Sequence, residues 1–259
     1  MKRLSKSDLK TFLDEKVYQY NTTHFIDDDP ISIPHRFSKK EDIEISGFLT
    51  ATISWGQRPV ILKNASQLIK RMDNSPHDFI IHFQPKDLSA FRNFVHRTFN
   101  GEDCTFFLQS LKRIYQEKKS LEVLFTEFAA TNIHTDYKEA IGLWRQFFFE
   151  MPHKSRSGKH FAQPQEGSAA KRINMFLRWM IRKDDSGVDF GIWKNDASQL
   201  TCPLDVHSGR VARKLGLLTR KQNDWKAADE LTQNLKKFDL KDPVKYDFAL
   251  FGMGVFEKF

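Results

Sequence analysis

Asp205 is the acidic residue whose setting in the sequence best suits chemistry. It follows Pro203 and Leu204, which favour an extended approach. A basic segment comes next, in which Val211 and Leu215 share one helical face. An aspartate at such a boundary can cap a helix by accepting a hydrogen bond from a backbone N–H. A carboxylate held there lies at a surface or in a cleft, where it can also stabilise a positive charge or move a proton. The residue alone leaves both interpretations open.

Lys171 is the basic counterpart, since it stands in the first turn of another predicted helix. That helix should begin at Gly167 and Ser168, with Ser168 as its N-cap. The positive end of a helix dipole disfavours a cation, which suits an amine that reacts as a neutral nucleophile. The alternative is an exposed lysine with no role. The helix has one apolar stripe, made of Ile173, Phe176, Leu177, Met180 and Ile181.

The segments around both residues resemble the helix-hairpin-helix DNA glycosylases, the superfamily of endonuclease III, the adenine glycosylases and the 8-oxoguanine glycosylases. Residues 204–207, 210–211 and 215–217 match in order and spacing the family pattern V-D-x-H-V-x-R-V-x-x-R-L-G-L, in which the Asp is catalytic. The family hairpin reads roughly L-P-G-V-G-x-K-T-A-N-V-V-L, and its Lys is the nucleophile of the bifunctional members. Residues 167–177 keep its first Gly, its Lys, its Asn and its Leu, with Ala169 at the second Gly.

The resemblance implies an all-α, two-lobed fold with a helix-hairpin-helix element. Residues 44–183 would form a helical lobe ending in the hairpin and its second helix, and residues 1–43 with 184–259 a composite lobe carrying Asp205. The implied function is a DNA base-excision repair glycosylase, bifunctional as a glycosylase and AP lyase, acting on a damaged base flipped from duplex DNA. Lys171 would be the nucleophile, and its amine should lie within about two hydrogen-bond lengths of the carboxylate. The alternative is a DNA-binding protein with the same architecture and no catalysis.

The predicted DNA contacts come from three places in the sequence. Residues 50–58 resemble the glycosylase stretch that ends S-A-Q-x-T, which places Gln57, within one residue, beside the extruded base. Residues 151–183 hold eight Lys or Arg residues and one acid, a concentration of charge that suits phosphates, although most charge runs are solvated faces. His207 could orient Asp205 or touch a phosphate. The candidate DNA-binding residues are Gln57, Arg58, Lys154, Arg156, Lys159, Gly167, Ser168, Arg172, His207 and Arg210.

The composition limits the class of protein and its cofactors. Apolar residues make up 40% of the chain, and no apolar run is long enough to span a membrane. Cys104 and Cys202 cannot build the four-cysteine iron–sulfur cluster of some glycosylases. We predict no other cofactor and no metal, with a monovalent cation at the hairpin left open. The charged N-terminal residues predict a cytoplasmic protein, nucleoid-associated if it is bacterial. We expect a monomer that binds damaged duplex DNA and no membrane.

Helical periodicity runs through most of the chain, and the sequence predicts no strand. One helix should begin near Ser5, with Ser5 or Ser7 as its N-cap, another should begin at Asp224-Trp225, and a third should cover residues 87–97. We expect a loop over residues 21–38, which contain Asp-Pro and Ile-Pro steps. Residues 183–202 form an insertion between the two catalytic candidates, which are closer in sequence in the glycosylases.

Overall fold

The computed structural model describes residues 5–131 and 136–259, and helices dominate it. The all-α class is confirmed, since the one sheet within these residues is a hairpin of two short strands. None of the helices described is both long and apolar enough to cross a lipid bilayer. In chain order the elements are α1 (Lys6–Tyr20), α2 (His24–Asp28), α3 (Lys40–Thr52), α4 (Arg58–Lys70), α5 (Pro76–His82), β1 (Val95–His96), β2 (Phe99–Asn100), α6 (Gly101–Lys118), α7 (Leu121–Ala130), α8 (Lys138–Phe148), α9 (Lys171–Ile181), α10 (Val206–Lys214), α11 (Trp225–Lys236) and α12 (Tyr246–Val255).

The chain divides into two compact units. The first unit comprises Met1–Asp27, His134–Tyr137 and Pro164–Phe259, and the second comprises Asp28–Ile133 and Lys138–Gln163. The expected lobes placed α9 with the helices before it, whereas the structure places α9 and α10 in one unit. Both segments that carry the strongest resemblance therefore lie in the first unit.

In the first unit, α12 packs against both α1 and α10. Two glycines of α12 permit this close approach. A Cβ built on Gly252 would overlap the ring of Tyr20, and one built on Gly254 would lie 3.0 Å from the Cβ of His207. Ser5 begins α1 as predicted, because its side chain accepts a hydrogen bond from the N–H three residues on. The backbone of α12 thus lies directly against two neighbouring helices.

Helix α9 is buried along most of its length, and the insertion over residues 183–202 covers its C-terminal end. The Phe190 N–H donates to the Trp179 carbonyl at 2.8 Å, and the Trp193 N–H donates to the Met180 carbonyl at 2.8 Å. These bonds satisfy carbonyls that the last turn of a helix leaves without partners. The insertion therefore has a structural role at the end of α9 that the sequence did not predict.

An aromatic cluster forms the core of the second unit. The ring of Phe48 in α3 lies 5.4 Å from that of Trp144 and 5.6 Å from that of Phe148, both in α8. Phe107 of α6 and Phe161 complete the cluster, and all five side chains are buried. Because each buried aromatic ring removes about 150–250 Å² from water, this cluster holds α3, α6 and α8 together.

Two predicted segments are wrong. The helix expected over residues 87–97 is a short 3-10 helix, Asp87–Phe91, followed by the β1–β2 hairpin. The hairpin turn places Arg97 at φ 54°, a left-handed conformation that usually calls for glycine or asparagine, so the sequence carries no turn signal. The loop expected over residues 21–38 contains α2 and two 3-10 turns, each beginning at a proline.

Candidate active site

Asp205 is the N-cap of α10, as predicted. Its Oδ1 accepts hydrogen bonds from the backbone N–H groups of His207 at 2.8 Å and Ser208 at 2.9 Å. Ser208 completes a reciprocal pair, since its Oγ accepts a hydrogen bond from the Asp205 N–H at 3.0 Å. One carboxylate oxygen therefore starts the helix, and Oδ2 is left for a second group.

The turn before α9 differs from the prediction, because Ser168 is not the N-cap. The N-cap is Ala170, at φ 47°, and the Ser168 Oγ accepts a hydrogen bond from the Ala170 N–H at 3.2 Å. The left-handed Ala170 turns the chain just before the helix, so Lys171 becomes its first residue. Asn174 fixes this start by donating from Nδ2 to the Ala169 carbonyl at 3.1 Å. A hydrogen-bonded turn thus holds the Lys171 amine at the positive end of the helix.

The structure brings the amine of Lys171 and the carboxylate of Asp205 together. Lys171 Nζ lies 3.8 Å from Asp205 Oδ2, within the separation that joint action requires. The two side chains are 31% and 19% exposed, so a ligand can reach both groups. At this distance the charges attract each other without a direct hydrogen bond. A substrate can therefore contact both groups without first breaking a hydrogen bond between them.

A buried ion pair lies behind this site. Asp247 of α12 is 6% exposed and accepts a hydrogen bond from the guanidinium of Arg178, which is 4% exposed. Burial raises the pKa of Asp247 to about 6, although the charge of Arg178 acts in the opposite direction. The charges of Asp205 and Lys171 also act on Asp247. The candidate site is therefore coupled electrostatically to a buried carboxyl group.

A second buried arginine, Arg182, extends this network toward the insertion. Its guanidinium donates to Asp189 at 2.9 Å and to Asp242 at 2.9 Å, and it lies 3.6 Å from Asp184. Arg178 also donates to Asp189, at 3.2 Å. Two of these carboxylates, Asp184 and Asp189, come from the insertion, which thus supplies charge as well as covering the end of α9.

Counting every Lys and Arg of residues 151–183 therefore overestimates the positive charge at the surface of the protein. Arg178 and Arg182 belong to this run but are buried and paired with carboxylates. The sequence holds a signal for this, because Arg178 lies within the apolar stretch of α9 and Arg182 follows that stretch directly, four residues further on. Their acidic partners could not be identified in the same way, since they come from distant segments.

The remaining DNA-binding candidates of the first unit have varied surroundings. Gly167 has φ 89° and open space where a Cβ would lie. Arg172 is in a different environment, where burial lowers the pKa of its guanidinium group to about 10. Arg210 donates to two main-chain oxygens near the end of the chain, at 2.8 and 3.0 Å, and so ties α10 to that segment. His207 reaches Asp205 with its backbone N–H, while its ring Nδ1 is buried without a hydrogen-bond partner among the described residues.

The other candidates lie in the second unit. Gln57 and Arg58 stand at the start of α4, where Gln57 is the N-cap and makes no side-chain capping bond. Lys154 forms an ion pair with Glu102 at 2.6 Å, and Lys159 is exposed. These four residues stay candidates for contact with phosphates or bases.

Asp103 is a second aspartate at a helix start, and sequence reasoning missed it. It is the third residue of α6 and is fully buried. Its carboxylate accepts hydrogen bonds from Arg156 at 2.6 Å and from the Ser157 Oγ at 2.7 Å, and His160 Nε2 lies 3.2 Å away. Burial alone would raise the pKa of Asp103, but the hydrogen bonds from Ser157 and the Asn100 N–H and the nearby positive charges lower it overall. Arg156 thus binds a buried carboxylate, whereas the sequence assigned it to DNA.

Residues 29–256 match the model of a family described as "Protein of unknown function (DUF2400)". The match covers most of the chain, and the chain belongs to this family. No curated protein and no solved structure is similar enough to match it. Because the family description names no reaction, the function has to be argued from the geometry around Lys171 and Asp205.

Proposed function

We propose that the protein is a DNA base-excision glycosylase with AP lyase activity, and that Lys171 and Asp205 are its catalytic residues. The observation that carries this proposal is the 3.8 Å separation between Lys171 Nζ and Asp205 Oδ2, at the starts of two helices. An amine nucleophile beside a carboxylate is the pair of groups that this reaction needs. Both side chains are partly exposed, so a nucleotide extruded from a duplex can reach them.

The reaction follows from the roles of these two groups. Asp205 Oδ2 takes a proton from the Lys171 ammonium, and the neutral Nζ attacks C1′ of the nucleotide. The bond between C1′ and the base breaks, the base leaves with the electron pair, and Asp205 passes the proton to it. The proton transfer accompanies bond breaking, so the carboxylate is ionised again while positive charge develops on the sugar, and it stabilises that charge. The C1′–O4′ bond then breaks, O4′ takes a proton from Nζ, and Nζ and C1′ form a protonated Schiff base. Asp205 takes a C2′ proton, and the electrons of the C2′–H bond expel the 3′ phosphate.

The proposal includes a helix-hairpin-helix element in the fold and duplex DNA as the partner. We assign the turn over residues 164–170, together with α9, to the hairpin of a helix-hairpin-helix element. Gly167 and Ala170 adopt positive φ angles of 89° and 47°, which produce the tight turn that such a hairpin needs. A hairpin of this kind binds phosphates through backbone N–H groups and reads no sequence. The partner would be damaged duplex DNA, bound by a cytoplasmic monomer.

Borohydride trapping tests the chemistry. With duplexes that contain an abasic site or an oxidised base, the wild-type protein should give a covalent adduct, and Lys171→Ala should give none. Lys183→Ala is the matched control, because it removes an exposed lysine just beyond the other end of α9 and should trap like the wild type. Asp205→Asn keeps a good N-cap but cannot take a proton, so it should slow base release about 100-fold or more.

Other outcomes would reject the proposal in different ways. Salt-dependent binding to duplexes, with no adduct and no base release across a lesion panel, would favour the non-catalytic DNA-binding protein. The absence of any salt-dependent affinity would exclude DNA as the partner. An adduct that persists in Lys171→Ala would assign the nucleophile to another group and overturn the role of this pair.

A further inference from the structure

One face of α9 carries a row of three cations. Lys171 and Arg178 are seven residues apart and lie on the same side of α9, and Arg182, the residue directly after α9, is four residues further on. Exposure falls sharply along the row, from 31% for the Lys171 side chain to 4% for Arg178 and 5% for Arg182. The row therefore begins at the candidate active site and continues into the interior of the first unit.

Five carboxylates face this row. Asp205 lies beside Lys171, and Arg178 binds both Asp189 and Asp247. Arg182 also binds Asp189 and has two further carboxylates within 4 Å. We call the eight groups the charge ladder of α9: Lys171, Arg178, Arg182, Asp184, Asp189, Asp205, Asp242 and Asp247.

The charge ladder holds more negative groups than positive ones. It has three cations and five carboxylates, and Lys245 adds its positive charge next to Asp242, the most exposed of the carboxylates. Lys245 itself forms an ion pair with Asp239 at 2.6 Å, so the charge ladder keeps an excess of negative charge. Burying an uncompensated charge is costly, so a buried cluster of this kind takes up a proton instead.

Asp247 is the carboxyl group best suited to hold that proton. Asp184 accepts hydrogen bonds from three backbone N–H groups and from the Asn21 amide, and its pKa is lowered. Asp189 accepts hydrogen bonds from two guanidinium groups. Asp205 uses Oδ1 to cap α10. Among the described residues, the one hydrogen bond to the Asp247 side chain comes from Arg178. Burial also raises the pKa of Asp242, but that carboxylate accepts two hydrogen bonds from Arg182 and one from the Lys245 N–H, and it is the more exposed of the two. Burial raises the pKa of Asp247 to about 6, which agrees with the assignment of the proton to Asp247.

The surroundings of Asp247 show which groups its charge affects. Helices α1 and α10 pack on α12, the helix that carries Asp247. Tyr20 of α1 contacts α12 at Gly252, and His207 of α10 contacts it at Gly254. Burial also raises the pKa of the Cys202 thiol, so the thiol stays neutral. The charged or titratable groups that act on Asp247 are Arg178 and Lys171 of α9, Asp189 of the insertion, Asp205 at the start of α10, and Cys202.

We propose that Asp247 is a positioning residue for the Lys171–Asp205 pair: it holds the surplus proton of the charge ladder, and release of this proton places a further negative charge behind the pair. The catalytic consequence rests on the proposed function. An ionised Asp247 stabilises positive charge that develops on a bound sugar. Adduct formation should therefore become faster as Asp247 loses its proton.

Nuclear magnetic resonance tests the coupling without any catalysis. In the wild-type protein the Asp247 carboxyl carbon should titrate near pH 6, and the Lys171 ε-carbon should show an inflection at the same pH. Asp247→Asn should abolish that inflection. Asp242→Asn, at the far end of the charge ladder, should keep the inflection but move it to lower pH, because it removes one of the excess negative charges. A carboxyl carbon that titrates below pH 4 in the wild type, or an inflection that persists in Asp247→Asn, would overturn the proposal.

The pH dependence of trapping tests the catalytic consequence. The rate of adduct formation in the wild type should include a step near pH 6, with a rate about tenfold lower on the acid side. Asp247→Asn should lack this step and react slowly throughout, whereas a purely structural role would lower the rate without changing the pH profile. A wild-type protein that forms no adduct would reject the proposed function, and the resonance titration would still decide the role of Asp247.

Discussion

Asp205 and Asp103 stand at the starts of two helices, and the surroundings of the two carboxylates differ in burial. Each belongs to a reciprocal capping pair, and each also has a serine hydroxyl and a cation beside it. Asp103 is completely buried and accepts donors on both oxygens, Ser157 on Oδ1 and Arg156 on Oδ2. The Asp205 side chain is 19% exposed, and its Oδ2 faces an amine at 3.8 Å.

The difference shows what separates a carboxylate that is fully used within the fold from one that has an oxygen left for a ligand. A buried carboxylate whose oxygens all have donors stabilises the fold and has no capacity left for a substrate. A carboxylate that uses one oxygen as a helix cap and leaves the other open can take a proton or face a positive charge. The local motif is similar at both helix starts, so the distinction comes from the residues that surround it.

The largest expected effect is on stability. Asp103→Asn should lower the free energy of unfolding by about 3 kcal/mol or more, because Arg156 and His160 lose a buried charged partner. Asp205→Asn should cost about 1 kcal/mol or less, since asparagine caps equally well and the ion pair with Lys171 is partly exposed. Urea denaturation of the two variants measures the difference. Equal losses would show that the two sites do not differ as described.

The pH dependence of stability should have opposite signs at Asp103 and Asp247. The folded-state pKa of Asp103 is lowered, so its contribution is present above the unfolded value near 3.8 and disappears as the pH falls further. The folded-state pKa of Asp247 is raised to about 6, so its contribution is complete below 3.8 and is lost as the pH rises through 6. That loss amounts to at most about 3 kcal/mol.

Denaturation curves collected between about pH 3 and pH 8 test whether stability changes with pH in opposite directions for the two carboxyl groups. Asp247→Asn should remove the loss of stability between pH 3.8 and 6, while Asp103→Asn should remove the loss below pH 3.8. The relevant observation is the slope and not the offset, because each substitution also changes the free energy of unfolding by an amount that does not depend on pH. An Asp247→Asn curve that runs parallel to the wild type across the upper range would contradict the assignment.

The sequence predicts the helix starts because capping is local. Ser5, Asp205 and Asp224 cap α1, α10 and α11 through N–H groups two or three residues away, so each signal lies within one turn. The sequence does not predict which carboxylate accepts hydrogen bonds on both oxygens and which has one oxygen left for a ligand. Asp103 binds Arg156, which is 53 residues away in the sequence, and Asp247 binds Arg178, which is 69 residues away. A local sequence pattern cannot predict contacts between residues so far apart.

The same limit explains the other errors. The left-handed Arg97 and Ala170 make turns that glycine would have signalled, and their neighbours in the fold fix them instead. The resemblance to the glycosylases drew attention to Lys171 and Asp205, which the structure places together. It offered nothing on Asp247, because that residue acts through a network that includes the insertion.

The smallest expected effects come from removing the hydroxyl groups of Ser157, beside Asp103, and of Ser208, beside Asp205. Ser157→Ala removes a hydrogen bond to a buried charged group and should cost about 2 kcal/mol. Ser208→Ala removes the return half of the capping pair at α10 and should cost about 1 kcal/mol. Ser157→Ala should also raise the pKa of Asp103 and move the acid loss of stability to higher pH, because this hydrogen bond favours the ionised carboxylate.

Trapping of the same two variants completes the comparison. Ser208→Ala should trap DNA like the wild type, because Asp205 Oδ1 still accepts two backbone N–H groups and Oδ2 still faces Lys171. Ser157→Ala should do so as well once its lower stability is taken into account, since it lies in the second unit and acts on Asp103. If Ser208→Ala stopped adduct formation, the backbone cap alone would be insufficient to hold Asp205, and the hydroxyl of Ser208 would belong to the catalytic geometry.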